Sequence, residues 1–276
     1  MIELPEAYTI AQQIAETLKG KVIERGVRGN SPHKFAFYNR EPEEYESILN
    51  GRTIGGAYQL ANMIMVPAEP DFVIGLGCGG ERILYHENES TLPKKHQLLL
   101  QFTDGTYLSV SVQGWGAALL LEESEVETHP FCGGRGPSPL SDEFTLDYFL
   151  GLFGTLKEND PASAKYFAIT KPGVAGMGNG CLQDILFNAG IHPRRRVISL
   201  SDDEKRAFYE AIRTTVREMT DLGGRDSDYD LFGRPGGYRR ILHSKVVGRP
   251  CPKCGTPIEK TAFLGGASYF CPTCQK

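Results

Sequence analysis

Four cysteines near the carboxyl end have the spacing of a metal site. Cys251 and Cys254 form one Cys-x2-Cys pair, Cys271 and Cys274 form another, and sixteen residues separate the two pairs. Such pairs bind a tetrahedral zinc ion through thiolates at about 2.3 Å. Four ordinary buried cysteines are the alternative, but a terminal segment this short buries too little apolar surface to fold unaided. The spacing therefore predicts one structural Zn²⁺, with no open coordination position at which it could activate water.

Two carboxylates stand at the other end of the chain. Glu3 and Glu6 flank Pro5, which suits the first turn of a helix predicted over residues 5–19 from apolar residues that recur every four positions. Acidic residues are common in a first helical turn, where the helix dipole stabilises them. The two carboxylates are therefore either a helix-capping feature or a pair of acid–base groups.

The region that follows the first helix has the pattern of short β-strands. Thr103-Asp104-Gly105 is a hairpin turn between two of them, and the absence of a regular strand–helix alternation predicts an antiparallel β sandwich or barrel. The apolar runs lie at residues 35–38, 63–66, 72–74, 83–85, 98–102, 107–112 and 117–121.

The second half of the chain changes to helical patterns. Residues 128–141 contain three glycines and three prolines and are predicted to be an interdomain linker. Ser141-Asp142-Glu143 can open one helix, and Ser201-Asp202-Asp203-Glu204 fits a capping box that opens another, which ends before Gly223-Gly224. Met-Gly-Asn-Gly (177–180) is a loop before a further helix.

Composition narrows the class of protein. With 276 residues, 40% hydrophobic and 23% charged, the chain is a globular protein, and it has neither a membrane-length apolar run nor a basic signal segment. We therefore expect a cytoplasmic protein whose seven cysteines form no disulfides. The net charge of −4 is not typical of a nucleic-acid-binding protein. Any surface that binds nucleic acid must therefore come from local basic clusters such as Arg194–Arg196 or Arg239–Arg240.

Several motifs resemble those of the formamidopyrimidine-DNA glycosylase / endonuclease VIII family. The amino-terminal Glu3-Leu4-Pro5-Glu6 matches, and the similarity extends along the whole chain. The other matching segments are, in order, GPSPLSDEFT (136–145), VAGMGN (174–179), LFNAGIHP (186–193), SLSDDE (199–204) and the terminal CPKCGTPIEKTAFLGGASYFCPTCQK (251–276).

The resemblance implies an α+β fold with a DNA cleft between two lobes. The expected parts are an N-terminal helix with an antiparallel β-sandwich domain (1–127), the linker (128–141), a helix–two-turn–helix domain (142–240) and a zinc-finger β-hairpin (241–276). It also implies double-stranded DNA as the partner, damaged or abasic, bound by a monomer.

The resemblance also assigns roles to single residues. It implies that Glu3 is the general acid that protonates the sugar oxygen, that Glu6 orients the site, and that the terminal amine, here of Met1, is the nucleophile. Asn179 with Gly178 corresponds to the loop that contacts phosphate, where glycine permits close backbone approach. Lys165 and Trp115 also fall at DNA-contacting positions, although a single lysine is ordinarily a solvated surface charge.

The family pattern is broken at the groups that act on DNA. Family enzymes expose a proline amine, whereas the second residue here is Ile2, too large for ordinary removal of Met1. A misplacement of 1 Å can cost about a hundredfold in rate. The other departures are Asn62 for a lysine, Gly266 for the finger arginine, Cys78 for a methionine wedge, and Gln113-Gly114 where an arginine belongs.

Three functions remain open at this point. The first is a damaged-DNA-binding protein of base-excision repair whose catalysis is weakened or lost because Ile2 occupies the nucleophile position. The second is an active DNA glycosylase/AP lyase, acting on oxidised bases or abasic sites through a non-proline amine. The third is a module that binds a partner other than DNA.

Overall fold

The computed structural model describes residues 1–134 and 136–276. These residues form two compact units. Residues 1–134 with Thr220–Tyr238 form the first unit, and Gly136–Met219 with Arg239–Lys276 form the second. The sequence had placed 220–238 in the helical domain (142–240). The structure instead groups this segment with the sandwich, because buried side chains of the segment pack and pair with residues of the first unit.

The first unit begins with helix α1 (Leu4–Leu18), one residue earlier than predicted. Its apolar stripe of Ile10, Ile14 and Leu18 is fully buried, as the four-residue repeat requires. Gly20, with φ +85°, turns the chain out of the helix. A second helix, α2 (Pro42–Leu49), was not predicted. Only Tyr45 and Leu49 of this helix are buried, and two apolar residues one turn apart are too few to predict a helix from the sequence.

Two antiparallel sheets make the sandwich of the first unit. The four-stranded sheet has the order β1-β8-β9-β7 and the six-stranded sheet the order β2-β10-β6-β5-β3, with β4 paired to β5; β2 alone runs parallel to its neighbour β10. The strands are β1 (Ile23–Arg28), β2 (Ala36–Phe37), β3 (Thr53–Ile54), β4 (Tyr58–Leu60), β5 (Met63–Glu69), β6 (Phe72–Gly77), β7 (Glu81–His86), β8 (Leu98–Phe102), β9 (Tyr107–Val112) and β10 (Gly116–Glu122).

Alternation along β5 gives the six-stranded sheet two buried faces. Ile64 and Val66 point into the main core with α1 and the four-stranded sheet, whereas Met63 and Met65 point to the other side. That outer face is covered by Val126 and Cys132, which are buried against it. The first part of the predicted linker (128–141) is therefore packed on the sheet, and Arg135, which the prediction also included, lies outside the described residues.

The second unit consists of helices around an aromatic core. It contains α3 (Leu146–Phe153), α4 (Ala164–Ile169), α5 (Asn179–Ala189) and most of α6 (Asp202–Asp221). Helix α3 starts later than Ser141-Asp142-Glu143 predicted, because the Thr145 side chain accepts a hydrogen bond from Tyr148 N and caps it. The capping box at Ser201 and the buried stripe of α6 are as predicted.

The carboxyl end forms a hairpin that packs on α5. Strands β11 (Glu259–Phe263) and β12 (Gly266–Phe270) pair in register, and Gln183 of α5 both donates to Ala267 O (3.0 Å) and accepts from Tyr269 N (3.0 Å). The wholly buried Asp184 accepts from the backbone of Ile241 and Leu242, both at 2.8 Å. These bonds hold the hairpin to the helical unit by backbone and side-chain contacts. None of the described helices has the length and hydropathy needed to cross a bilayer.

Candidate active site and metal centre

The amino terminus of α1 is built around two buried carboxylates. Glu3 stands just before the helix and Glu6 is in its first turn, and their exposed fractions are only 2% and 3%. Glu6 Oε2 accepts a hydrogen bond from the backbone N–H of Glu3 at 3.0 Å, which satisfies a donor that the helix itself cannot use. Burial of two acids so close together requires a cation to compensate them.

Arg225 supplies that cation from a distant part of the sequence. Its guanidinium donates to Glu6 Oε2 (2.7 Å), to Glu3 Oε1 (3.1 Å) and to the carbonyl oxygen of Met1 (2.6 Å). Gly224, with φ +100°, makes this approach possible, because a Cβ atom there would lie 3.2 Å from Glu6 Cγ. The bidentate contact to Glu6 fixes the arginine, which is itself 2% exposed.

The terminal ammonium of Met1 pairs with Asp228. Asp228 also accepts a hydrogen bond from Ser227 Oγ (2.6 Å) and lies 3.5 Å from Arg225 Nη2. Burial alone would raise the pKa of Asp228, but Arg225 and the Met1 ammonium beside it outweigh burial, and the pKa is lowered. Asp228 is thus an anion that holds the terminal amine in place.

A further buried carboxylate, Glu81 at the start of β7, lies close to the amino terminus. It accepts hydrogen bonds from Gly79 N (2.9 Å) and Ala117 N (2.8 Å), and Gly79 O in turn accepts from Ile2 N at 2.7 Å. Burial raises the pKa of Glu81 to about 8, against the lowering effect of the two backbone N–H groups and of the nearby terminal ammonium. Ile2 itself is buried in the main core.

The structure brings together the three residues proposed for catalysis, Met1, Glu3 and Glu6, and adds three that the sequence did not reveal. Arg225, Asp228 and Glu81 complete this amino-terminal cluster. The run Arg225-Asp226-Ser227-Asp228 after two glycines is visible in the sequence, but nothing in its spacing relates it to residues more than two hundred positions earlier. Only the return of the 220–238 segment to the first unit makes the connection.

The other positions of interest in the first unit lie in turns. Trp115, in the turn between β9 and β10, is 41% exposed, and its carbonyl oxygen accepts from Gly80 N at 2.7 Å. Cys78 is buried at φ +66°, a conformation that side chains other than glycine adopt with strain. Its N–H donates to Asn62 O at 3.2 Å, so the two altered positions are neighbours.

In the second unit, Lys165 is buried rather than solvated. It is 3% exposed, and its Nζ donates to Phe263 O (2.7 Å) and to Ser268 Oγ (3.2 Å) of the hairpin. Burial lowers its pKa. The alternative of a solvated surface charge does not hold at this position, because α4 faces the hairpin here and the long side chain is enclosed between them. The contact of Lys165 with DNA stays a prediction.

Asn179 and Gly178 lie beside this lysine. Gly178 is the N-cap of α5, and Asn179 Nδ2 donates to Ala267 O at 3.1 Å. A Cβ atom on Gly266 would lie 3.6 Å from Asn179 Nδ2 and 3.7 Å from Lys165 Nζ. Gly266, which the resemblance aligns with an arginine, therefore adjoins both polar side chains, and an arginine there would add a second cation to the same patch.

The three clustered arginines at 194–196 are engaged within the second unit. Arg194 donates to Thr261 Oγ1 and Ala262 O, both at 2.9 Å, and Arg195 pairs with Glu204 at 3.3 Å. Arg196 donates to two carbonyl oxygens of the loop at 159–160. Their first role is thus to fasten the hairpin and the loops to the helices.

The four cysteines are arranged as a zinc site. Their sulfur atoms all lie within 4.8 Å of one another, with Cys251 Sγ 3.9 Å from Cys274 Sγ and Cys254 Sγ 3.5 Å from Cys271 Sγ. A tetrahedron with metal–sulfur bonds of 2.3 Å has edges of roughly 3.8 Å. Backbone N–H groups of Lys253 and Cys274 point at two of the sulfurs. This geometry fits one structural zinc ion held by four thiolates.

The fold and these sites define a two-unit protein with a β sandwich, a helix–two-turn–helix unit and a zinc-finger hairpin. The family profile of the formamidopyrimidine-DNA glycosylase N-terminal domain matches residues 1–112, and that of the zinc finger found in FPG and IleRS matches residues 248–276. The formamidopyrimidine-DNA glycosylase of Bacillus licheniformis is 32% identical over 284 aligned positions, which cover all of both chains. The chain belongs to the formamidopyrimidine-DNA glycosylase family.

Solved structures of the family have the same fold. Fpg of Lactococcus lactis, in complex with DNA containing an abasic site, superposes with a TM-score of 0.86 at 22% identity and covers 99% of each chain. MutM (Fpg) of Thermus thermophilus superposes with a TM-score of 0.81 at 25% identity, covering 99% of this chain and 98% of its own. The chain therefore has the architecture of the family.

Proposed function

We propose that the protein binds damaged or abasic double-stranded DNA and that its glycosylase and lyase chemistry is weakened or lost. The observation that carries the proposal is the state of the amino-terminal cluster. The amine that would attack the sugar is paired with Asp228, and the acid that would protonate it, Glu3, accepts from the guanidinium of Arg225. Both groups are engaged in ion pairs that a reaction with the sugar would have to disrupt.

The chemical reason concerns protons. A nucleophilic amine needs a free lone pair, and an ammonium in an ion pair has none. A general acid needs a proton, whereas an ionised carboxylate acts only as an acceptor. Both groups are also fixed in position, since Arg225 bonds to the Met1 carbonyl oxygen and Ile2 N bonds to Gly79 O. Activity would require this network to open.

Binding is supported by what the second unit retains. The zinc hairpin, the buried Lys165 and Asn179 at the start of α5 form one polar patch. Lys165 fixes the hairpin to α4, and the half-buried Asn179 beside it offers a side-chain donor that suits an anionic phosphate. The resemblance aligns Cys78 with a methionine wedge and Asn62 with a lysine that contacts phosphate, so two groups that act on DNA are altered in the first unit. Because base flipping costs a few kcal/mol, recognition without catalysis is the expected result.

The test is borohydride trapping on a duplex that contains an abasic site, run beside a binding measurement on the same duplex. We expect preferential binding of the abasic duplex over an undamaged one, with a covalent complex formed from only a small fraction of the bound protein. Efficient trapping would overturn the loss of chemistry. Equal binding of both duplexes, or binding independent of salt, would overturn damage recognition and favour a partner other than DNA.

A second candidate is an active lyase that uses the Met1 amine, and one observation favours it. Met1 is 51% exposed, and Asp228 beside its ammonium could accept the proton that attack requires. If Asp228 is that base, Asp228→Asn reduces trapping; if Asp228 only restrains the ammonium, the same change leaves trapping equal or raises it. Mass spectrometry of the mature amino terminus identifies the amine in either case.

Replacing Ile2 by Pro tests the position of the nucleophile. Proline permits removal of Met1, and the new terminal amine would then lie where Ile2 N now contacts Gly79 O, without the Met1–Asp228 pair. We expect more trapping on abasic DNA than for the natural chain. If the processed variant shows no gain, Asn62 and Gly266 limit the chemistry more than the nucleophile does.

A further inference from the structure

The second unit contains a cavity that none of the roles above uses. Its volume is about 500 Å³, and it lies between the loop at 155–163, helix α4 and the tip of the zinc hairpin. Sites that bind small organic ligands have volumes of about 300–1,000 Å³. The residues that matter for its chemistry are Leu156, Lys157, Tyr166, Lys171, Phe263 and Leu264.

The walls of this cavity are anchored independently of any ligand. On one side, Arg196 Nη2 donates to the carbonyl oxygens of Asn159 (3.0 Å) and Asp160 (3.1 Å) and holds the loop. On the other side, Lys165 Nζ donates to Phe263 O and Arg194 Nη2 to Ala262 O, which hold the hairpin tip. A cavity whose opposite walls are both fixed to the unit is preformed, so binding loses little conformational entropy.

The lining combines aromatic and apolar surface with positive charge. Tyr166 and Phe263 are the aromatic residues of the lining, and Leu264 at the hairpin tip is 50% exposed at φ +50°. The guanidinium carbon of Arg194 lies 4.4 Å from the centroid of the Phe263 ring and covers one of its faces. Lys157 and Lys171 are exposed cations of the lining. One carboxylate, Asp160, also belongs to the lining, but its Oδ1 accepts from Ala162 N at 2.9 Å in its own loop. In a chain with a net charge of −4, the lining is nevertheless basic, with two lysines against one carboxylate.

We infer that this cavity binds one unstacked nucleotide, with the base against Tyr166 and Phe263 and the phosphate near Lys157 and Lys171. Rings receive the faces of bases without regard to sequence, and cations beside them receive the phosphate. A nucleotide combines an apolar plane and an anion in one ligand, whereas inorganic phosphate or an uncharged nucleoside matches only half of the lining. The inference goes beyond the proposed function, because it requires no damaged duplex.

The test uses the full zinc-loaded chain and three probes: deoxyadenosine monophosphate, deoxyadenosine and inorganic phosphate. Backbone NMR spectra should show deoxyadenosine monophosphate shifting the signals of Leu156, Tyr166 and Leu264, with the other two probes binding at least tenfold more weakly. Phosphate that binds as tightly as the nucleotide would overturn the inference, because the rings would then contribute nothing. So would the absence of shifts at these residues with the nucleotide.

Variants separate the cavity from general attraction of anions. We expect at least a tenfold loss of nucleotide affinity in Tyr166→Leu and in the double variant Lys157→Gln/Lys171→Gln. Lys260→Gln, which removes an exposed hairpin cation outside the lining, is the matched control and should change affinity less than twofold. If Lys260→Gln and the double variant lose equal nucleotide affinity, there is no defined site. This comparison of lysine variants does not depend on whether Tyr166→Leu folds.

A short single-stranded oligonucleotide distinguishes the two sources of a nucleotide. If it shifts the same signals with higher affinity than the monophosphate, the ligand is a nucleotide of a strand; if only the monophosphate does so, the ligand is free. Binding of abasic duplex is measured separately on the same variants. If the protein binds the nucleotide but no duplex, the nucleotide site is supported and only the proposed function is contradicted.

Discussion

At the scale of single residues, Arg225 is the centre of the amino-terminal cluster. It contacts Glu3 and Glu6, both almost fully buried, and the Met1 carbonyl oxygen. Burying an unpaired carboxylate raises the free energy of the folded state strongly. Removing the arginine would therefore destabilise the protein mainly because it leaves two buried carboxylates without a cation. The same contacts explain why a segment distant in sequence is part of the first unit.

Replacing Arg225 by Met should destabilise the protein by about 3–5 kcal/mol, because two buried carboxylates lose their cation. The matched control is Arg25→Met, whose partner Glu46 is on the surface, and which should cost under about 1 kcal/mol. Urea unfolding of both variants measures the difference. Equal costs would show that the buried cluster contributes no more than a surface pair.

Glu81 predicts a pH dependence whose sign follows from its raised pKa. The unfolded chain ionises Glu near its ordinary value of 4.5, whereas the folded chain retains the proton until about pH 8. The stability contributed by the protonated form is complete below pH 4.5 and is lost as the pH rises towards 8. From pH 6 to pH 8 the free energy of unfolding should fall by about 2 kcal/mol on this account.

The control for that prediction is Glu81→Gln, which keeps the shape of the side chain and removes the ionisation. Its free energy of unfolding should be flatter between pH 6 and pH 8 than that of the natural chain, measured by urea unfolding at fixed ionic strength. Parallel pH profiles would mean that Glu81 is already ionised in the folded protein, held by its two backbone N–H donors.

At the scale of elements, the zinc hairpin depends on metal for its structure. Strands β11 and β12 are five residues each, and the small cluster beneath them includes the ligands Cys251 and Cys271 themselves. A hairpin of this size is marginal without additional stabilisation. Its docking on α5 through Gln183 then places the hairpin tip near Lys165.

Cys271→Ser should therefore unfold the hairpin, release zinc and abolish DNA binding. Hydrogen exchange at Glu259–Phe270 and zinc content measure the first two effects, and a duplex titration the third. The control is Cys181→Ala, which changes a buried cysteine that is not a ligand. If DNA binding survives loss of the hairpin, the finger has no part in recognition.

In the whole molecule, two separate segments of the chain make up the first unit. Residues 1–134 make the sandwich, and Thr220–Tyr238 complete it with Arg225 and with Leu231, which is fully buried in the main core. The unit is thus discontinuous in sequence. Family enzymes have the same architecture, and the similarity in fold to the Lactococcus lactis and Thermus thermophilus proteins extends over nearly the whole chain.

A fragment of residues 1–134 should not reach native stability, since it leaves Glu3 and Glu6 buried without Arg225 and leaves the core without Leu231. We expect poor dispersion in its NMR spectrum and a broad thermal transition. Fusing residues 220–238 to the fragment through a flexible linker should restore dispersion. A fragment as stable as the intact chain would contradict the importance of the returning segment.

Much of the molecule was determined by the sequence alone, because short-range spacing carries the information. The zinc ligands, the helix α1 stripe, the hairpin turn at Thr103-Asp104-Gly105 and the capping box of α6 each depend on residues close together in the chain. Motif resemblance added the family, whereas the roles that it implies for Glu3, Asn179 and Lys165 stay predictions.

Long-range packing, by contrast, determines how the amino-terminal cluster is arranged. The pairing of Met1 with Asp228 and of Glu3 with Arg225 joins residues more than two hundred positions apart, and no periodicity encodes it. The burial of Lys165 and of Glu81 was equally hidden, because the environment of a charged side chain is set by what packs on it from other elements. The hydrogen bonds and ion pairs of this cluster follow from those long-range contacts.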